Sequence, residues 1–543
     1  MTESRHIVVP DVSLFDAGVH NVESSNHSAR EAYTLPISAV DAGTPQSRAR
    51  HRRTRQSEAR RLRAWLTTPR ETRLAFRYLA TLGAAMLAFA PTLLMTVDAS
   101  MEGSPTAYLL LVPVWSLLIA FGLDSGSGRQ INDSEFDRIL VVVVGGGLAL
   151  VAMLVIPRVP AVAAFWRADA IPMLIWAFAS SIVIFGIRRV VSDYRVWLFV
   201  LVCFPPNFLL AGQVLGGTTT VIGALTVALA AIAIYLSLRS VGWRFAVGAA
   251  LASAGAGVAM VFWFADRPAL AYTVPAGVVT VAAMVVRLRC GHATPSTVAL
   301  PKHSIATHAV TWVAALGILV LAPHPPTLLA PNAVTATADW VAELRGDGLI
   351  VADPQIFDWG PRVMGSGGDV RRYRITLPLR TGVSDGGLTT AYLDVYTTAE
   401  RGRFANYRRG IWYQTVPPAD ISSQPASADA VHTRIGSIAN TVDAVRTADD
   451  SLWTARFWAW EVQTPHGPRS QAVYLLANQD PRAADVVEPQ PPSYSTTVVE
   501  PIEWLIRGGD RRPADQGSAV DAVDTALTGL AWQIVRSSES TPR

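Results

Sequence analysis

Cysteine and lysine are nearly absent from this chain. Cys203 and Cys290 are the only thiols in 543 residues, and Lys302 is the only lysine. Everything after Cys290 is free of cysteine, so no disulfide framework holds the C-terminal region. The same absence excludes a transglutaminase-like chemistry there. That mechanism needs a thiolate, a histidine base and an orienting acid, and His432 and His466 have no thiol to serve. Cys203 lies inside an apolar run, where burial keeps a thiol inert, and Cys290 has no acid or second ligand at metal spacing. Neither a G-x-S-x-G elbow nor an H-E-x-x-H helix occurs. The glycines at Gly365, Gly367 and Gly368 lack the flanking strand and helix of a phosphate loop and read as a surface turn. No metal and no cofactor is expected.

Charge is also scarce. Charged residues make up 16% of the chain against 50% hydrophobic ones, and the charges avoid the central block, which excludes a single globular domain. The near-exclusive use of arginine reads as high-GC coding, not as arginine chemistry. A net charge of +4 does not point to nucleic acid, because the excess sits in one tail. A short apolar stretch with a small-residue cleavage site is missing from the N-terminus, so the first span is expected to act as an uncleaved signal.

What the chain does have is long apolar runs. A hydrocarbon core of roughly 30 Å needs about 20 apolar helical residues, and only helices or closed barrels satisfy the backbone there. Runs at 74–97, 106–123, 138–157, 170–187, 196–214, 218–238, 245–265, 269–286 and 307–325 meet that requirement. They are continuous, not alternating, which favours helices. The expected fold is a polytopic α-helical membrane bundle of about nine spans with a C-terminal extracytoplasmic α+β domain. The domains are expected to run 1–73, 74–325, 326–510 and 511–543: a disordered basic cytoplasmic tail, the bundle, the α+β domain, and a linker with an amphipathic helix.

Arg48, Arg50, Arg52, Arg53, Arg55, Arg60, Arg61 and Arg63 precede the first span in a segment too polar to bury a core. The cluster reads as a positive-inside determinant and as an anchor to anionic lipids, at about 1 kcal/mol per basic residue. With the N-terminus inside, cytoplasmic loops carry Arg188, Arg189, Arg195, Arg239, Arg244, Arg287 and Arg289, whereas outward loops carry only Arg158, Arg167 and Arg267. An odd number of spans then puts the C-terminal domain outside an inner (plasma) membrane. No charge sits mid-span, where transporters mark their sites, and no inverted repeat is evident.

Past Pro325 the pattern becomes soluble alternation. Arg371–Leu377, Thr389–Thr397, Arg409–Thr415, Thr454–Gln463 and Gln471–Ala477 read as strands. Thr335–Leu344 and Ile438–Arg446 read as helices. Ala519–Val535 reads as an amphipathic helix with Val523, Leu527, Leu530 and Ile534 on one face. Trp453, Trp458 and Trp460, with Tyr407, Trp412 and Tyr413, suit either a sugar-stacking platform or a sheet core. Aromatics on one strand face favour the core.

Two resemblances bear on function. Asp98 and Glu102 directly follow the first span, as in the GT-C class of lipid-linked glycosyltransferases, in which an acid of the first outer loop binds a metal or acts as base. That resemblance makes Asp98 and Glu102 the candidate catalytic residues, although the loop here is far shorter than the class's. Ser104-Pro105-Thr106-Ala107-Tyr108 followed by Pro113, Asp133 to Arg138, and Phe204-Pro205-Pro206-Asn207-Phe208 resemble span elements of the exosortase/archaeosortase family of membrane transpeptidases. Asp358-Trp359-Gly360 and Arg409-Gly410-Ile411-Trp412-Tyr413-Gln414 are similar to the exosortase-associated soluble domain. The family's Cys-Ser-Gly element is missing from Gly216 to Ile232, so no catalytic residue carries over. The resemblance implies an exosortase-related, non-catalytic envelope protein for surface protein or polysaccharide assembly or export, with other assembly proteins as partners. The alternative is a GT-C-like enzyme using a lipid-linked donor.

Overall fold

The computed structural model describes residues 69–123, 137, 139–155, 167–289, 305–321, 335–337, 340–346, 350–378, 388–406, 415–416, 441–446, 452–465, 467–478, 488 and 518–538. Two compact units divide at Thr72, and almost all described residues belong to the second, Arg73–Arg543. The basic tail and Cys290 lie outside the described residues, as do Tyr407, Trp412 and Tyr413.

The N-terminal half of this unit is helical. Among the described residues, four helices are long and apolar enough to cross a membrane: Pro105–Gly122, Thr219–Leu238, Trp243–Trp263 and Pro268–Arg289. The number rises to six if each of two bent pairs is one span. The expected count of about nine is not confirmed: among the described residues Val141–Leu154, Ile171–Phe185 and Ala309–Val320 are further apolar helices below spanning length. The bends have sequence causes. The expected span 74–97 breaks by 80° between Phe76–Ala88 and Ala90–Met101, where Pro91 enters the second helix. The expected span 196–214 bends by 47° ahead of Pro205 and Pro206. Proline lacks the N–H that would continue the ladder and pushes its predecessor out of the helical region.

The C-terminal half is built on one nine-stranded sheet. Its path is β2 (Ile350–Val351), β4 (Asp369–Pro378), β5 (Leu388–Thr398), β9 (Gly467–Asn478), β8 (Leu452–Thr464), β7 (Thr441–Arg446) and β6 (Thr415–Val416). All neighbours on this path are antiparallel. The short β1 (Thr335–Ala336) runs parallel to β8, and β3 (Gln355–Ile356) joins β4. Four expected strands fall in β4, β5, β8 and β9. The expected helix at Ile438–Arg446 is corrected: Thr441–Arg446 is a strand, with Val442 opposite Arg456 and Val445 opposite Trp453. Its β-branched residues fit a pleated strand better than a helix.

Alternation along the strands gives the sheet two buried faces. On one, Tyr373, Ile375, Leu393, Trp458, Trp460 and Leu475 pack under the helices Trp340–Gly346 and Ser518–Ser538. The expected face of the last helix is the one that packs, since Val523, Leu527, Leu530 and Ile534 are all buried. On the other, Tyr392, Tyr396, Phe457 and Tyr474 join a hydrophobic core that continues into the helical bundle through Trp359, Val363, Met364 and Phe404. Trp458 and Trp460 are each 1% exposed, so these rings are core, not a stacking surface.

Candidate functional site: a docking network and an apolar groove

The junction of sheet and bundle carries the densest polar chemistry in the described residues. Where β5 ends, Thr398 accepts from the Glu400 amide at 3.0 Å and donates to the Met364 carbonyl at 2.7 Å. That turn aims Glu400 and Arg403 at the bundle. Glu400 Oε2 accepts from Arg403 Nε at 2.6 Å and from the Tyr272 hydroxyl at 2.7 Å. Its Oε1 accepts from Thr219 at 2.7 Å. Arg403 spends its remaining reach on carbonyls, with Nη1 to Val363 at 3.1 Å and Nη2 to Gly217 at 2.9 Å. Both side chains are almost fully buried, at 6% and 2% exposure. A charge pair removed from water is tolerated only when hydrogen bonds satisfy its remaining sites, and here they come from two bundle helices and a loop.

Backbone approach reinforces the junction. The Gly402 amide donates to the Glu102 carbonyl at 2.8 Å, and a Cβ at Gly402 would collide with the Ser104 backbone. Gly217 holds a φ of +68°, and a Cβ there would run into the Arg362 carbonyl oxygen. Both positions need a residue without a side chain, Gly217 for conformation as well as space.

The two predicted acids lie one helical turn apart, the Glu102 amide donating to the Asp98 carbonyl at 3.2 Å, but in different surroundings. Asp98 is exposed near the end of the Ala90–Met101 helix and lines neither of the two cavities described below. Glu102 is half-buried and faces Arg401 at 3.7 Å, on the edge of the junction. Cys203 is 1% exposed. Its carbonyl accepts from the Tyr108 hydroxyl at 2.8 Å, and the Tyr108 ring lies 4.0 Å from that of Phe208. The segments around Tyr108 and Phe208 are therefore in contact. No group of three His, Cys, Asp or Glu able to hold a metal occurs among the described residues.

A second ion pair lies within the sheet, directly across the β4–β5 register. Arg372 Nε and Nη2 each reach an Asp394 oxygen at 2.8 Å, the bidentate form that matches a guanidinium to a carboxylate. Complete burial pushes the Asp394 carboxyl above its ordinary range, against the pull of Arg372. Beside it, Glu488 accepts from Arg374 at 2.6 Å and from Tyr392 at 2.8 Å. Partial burial pushes Glu488 up, but these hydrogen bonds and the charges of Arg374 and Arg372 outweigh it and hold the carboxyl below its usual value. Burial, with the Glu488 hydrogen bond and charge, pushes the Tyr392 hydroxyl up to about 12.

Two cavities lie among the described residues. One, of about 470 Å³ on the sheet half, is lined by Asp353, Asp369, Arg371, Arg469 and Gln471 beside Trp340. The other is an apolar groove of about 220 Å³ among the bundle helices, with Tyr78, Arg189 and Asp193 in its lining and also Arg167. Sequence reasoning missed Arg167, Tyr272, Glu400 and Arg403. Arg167 reads in sequence as an outward-loop charge just ahead of an apolar run. Glu400 and Arg403, three apart after a strand, look like any solvated turn.

Fold and site together define an α-helical membrane-type bundle with an antiparallel sheet domain packed on one end. No family model matches the chain, and neither a curated protein nor a solved structure is significantly similar to it.

Proposed function

We infer that the protein is an integral inner-membrane protein of the bacterial cell envelope, exosortase-related and without catalysis of its own, which presents its sheet domain outside the cytoplasm for surface protein or polysaccharide assembly or export. The observation that carries this reading is the buried Glu400–Arg403–Tyr272–Thr219 network, which ties the sheet half to the bundle as one body. A scaffold needs such a joint, whereas a freely tethered domain does not. The reading takes Val141–Leu154, Ile171–Phe185 and Ala309–Val320 as further spans beside the four to six candidates, and with nine the two ends lie on opposite sides. The sheet half meets the bundle at Glu102 and Gly217, both at span ends that the arginine distribution assigns outside.

The experiment is replacement of the chromosomal copy by Arg403→Met, with exported surface protein and polysaccharide measured alongside membrane abundance. Loss of export at normal abundance supports the scaffold reading. Full export by this variant removes it. Exposure of the sheet domain to protease only after the inner membrane is opened would overturn the orientation. The glycosyltransferase alternative is tested by Asp98→Asn and Glu102→Gln, which are expected to leave surface glycans unchanged.

A further inference from the structure

The cavity on the sheet half lies where the helix-covered face of the sheet changes character. Under the Trp340–Gly346 and Ser518–Ser538 helices that face is mainly hydrocarbon and indole. Toward the start of β4 and the end of β5 it turns polar. Strand register sets the row: Asp369 on β4 stands opposite Thr397 on β5, which stands opposite Gln471 on β9. All three line the cavity, with Asp353, Arg371 and Arg469 beside them. Side chains paired directly across strands lie about 5 Å apart, so the row spans about 10 Å.

The row is held in place, and it has groups to spare. Gln471 is 9% exposed, and its side-chain oxygen accepts from the indoles of Trp340 and Trp460, both at 3.1 Å. An indole N–H only donates, so the amide cannot turn over. Its nitrogen therefore faces Thr397, to which it donates at 3.3 Å. That bond uses one of the two amide hydrogens, and Thr397 keeps its own hydroxyl proton to give. Across the row, Arg371 holds Asp369 through a single oxygen, with Nε at 2.7 Å and Nη2 at 2.6 Å from Oδ2. Oδ1 is buried and has no hydrogen bond. An acceptor in that state is costly and calls for a donor that the chain does not supply. Arg469 closes the far wall by donating to the Gly367 carbonyl.

We propose that this cavity binds an uncharged saccharide unit through the Asp369–Thr397–Gln471 row. The row sets donors, the Gln471 amide and the Thr397 hydroxyl, beside an acceptor without a donor, Asp369 Oδ1. A sugar hydroxyl gives and takes a hydrogen bond at once, which is what such a row asks of its ligand. At about 470 Å³ the cavity has the size of a small-molecule site. A zwitterion suits it less well, because its ammonium or carboxylate would compete with an Asp369–Arg371 pair that is already closed. A hydroxyl leaves that pair intact. The proposal stands on the cavity alone and does not depend on the scaffold reading.

The full chain is to be purified in a polyoxyethylene detergent, since a glucoside detergent would itself compete for the site. Binding of fluorescently labelled neutral tetrasaccharides of differing ring stereochemistry is read by thermophoresis, with labelled diglycine as the zwitterionic probe. At least one tetrasaccharide is expected to bind the wild type, and diglycine is not. Thr397→Val keeps the shape of the side chain but removes its hydroxyl, and is expected to weaken that binding roughly tenfold, as the loss of one hydrogen bond warrants. Ala342→Trp on the covering helix, or Thr464→Phe on β8 should the first fail to fold, fills the cavity and abolishes binding. Failure of the folded wild type to bind any of the tetrasaccharides overturns the proposal, as does a preference for diglycine. Saccharide binding that is unchanged in Thr397→Val or in the filled cavity overturns it too. Binding is read on the isolated chain, so its outcome is separate from the export phenotype of Arg403→Met.

Discussion

The two faces of the sheet are made by alternate residues of the same strands, yet they solve different problems. The face under the Trp340–Gly346 and Ser518–Ser538 helices is mainly aromatic and aliphatic; the buried Arg456 lies on it too, donating to Thr528 of the last helix at 2.9 Å, and so does Gln471. The Gln471 side-chain oxygen serves the indole N–H groups of both Trp340 and Trp460 at 3.1 Å. The bundle-side face carries the Arg372–Asp394 pair and leads at its edge to Glu400 and Arg403. Apolar burial is strong but indifferent to partner, so it suffices where a chain covers itself with its own helices. Buried ion pairs add little net stability, but a broken one is expensive, which lets them enforce one arrangement over others. The polar face is thus the one whose partner has to be specified.

That contrast can be broken from either side. The largest effect is expected at the junction, where Arg403→Met leaves Glu400 buried without its cation. A loss of about 3–5 kcal/mol is expected for a buried pair broken in this way, read as a lowered unfolding midpoint in detergent. Glu400→Gln combined with it should recover part of that loss, since no unpaired charge then remains. On the self-covered face, Leu527→Ala removes a fully buried side chain and is expected to cost about 3 kcal/mol. It should lower the unfolding midpoint while leaving the sheet docked, which Arg403→Met should not. Gln471→Leu is smaller, about 2 kcal/mol, because it strands the two indole donors without creating a cavity.

The smallest effect concerns acid. Glu488 has its folded value held below the ordinary 4.5. It therefore contributes stability above that ordinary value and loses the contribution as pH falls through the lower folded one. Its side chain is 37% exposed, so the contribution should stay within about 1 kcal/mol. Thermal unfolding of wild type and Glu488→Gln should differ near neutrality and converge in acid. A difference that grows on acidification would contradict the assignment.

Much of this architecture is legible in the sequence. Apolar runs mark the helices because a bilayer demands length and composition that few soluble segments satisfy. Strands β4, β5, β8 and β9 show because alternate residues face different surroundings. The 80° break near Pro91 and the bend at Pro205 are written as prolines, yet a hydropathy window averages across them. The strand at Thr441–Arg446 is hidden in the sequence, since it takes its identity from β8 and β6 on either side of it, which local pattern does not contain. The candidate site was the least legible part. Arg167, Tyr272 and the Glu400–Arg403 pair come from three distant stretches, and none has a spacing that signals its partners. Asp98 and Glu102 stand out in sequence by following a span, but only Glu102 meets the junction.

The central claim is that the bundle and the sheet domain form one body through Glu400 and Arg403. Its most direct test is a spin-label distance between Asp98 on the bundle and Ile356 on β3, both exposed, in a chain with Cys203 and Cys290 replaced by serine. A single narrow distance distribution is expected, broadening in Arg403→Met. A distribution that is already broad with Arg403 in place, or that stays narrow without it, would contradict the account.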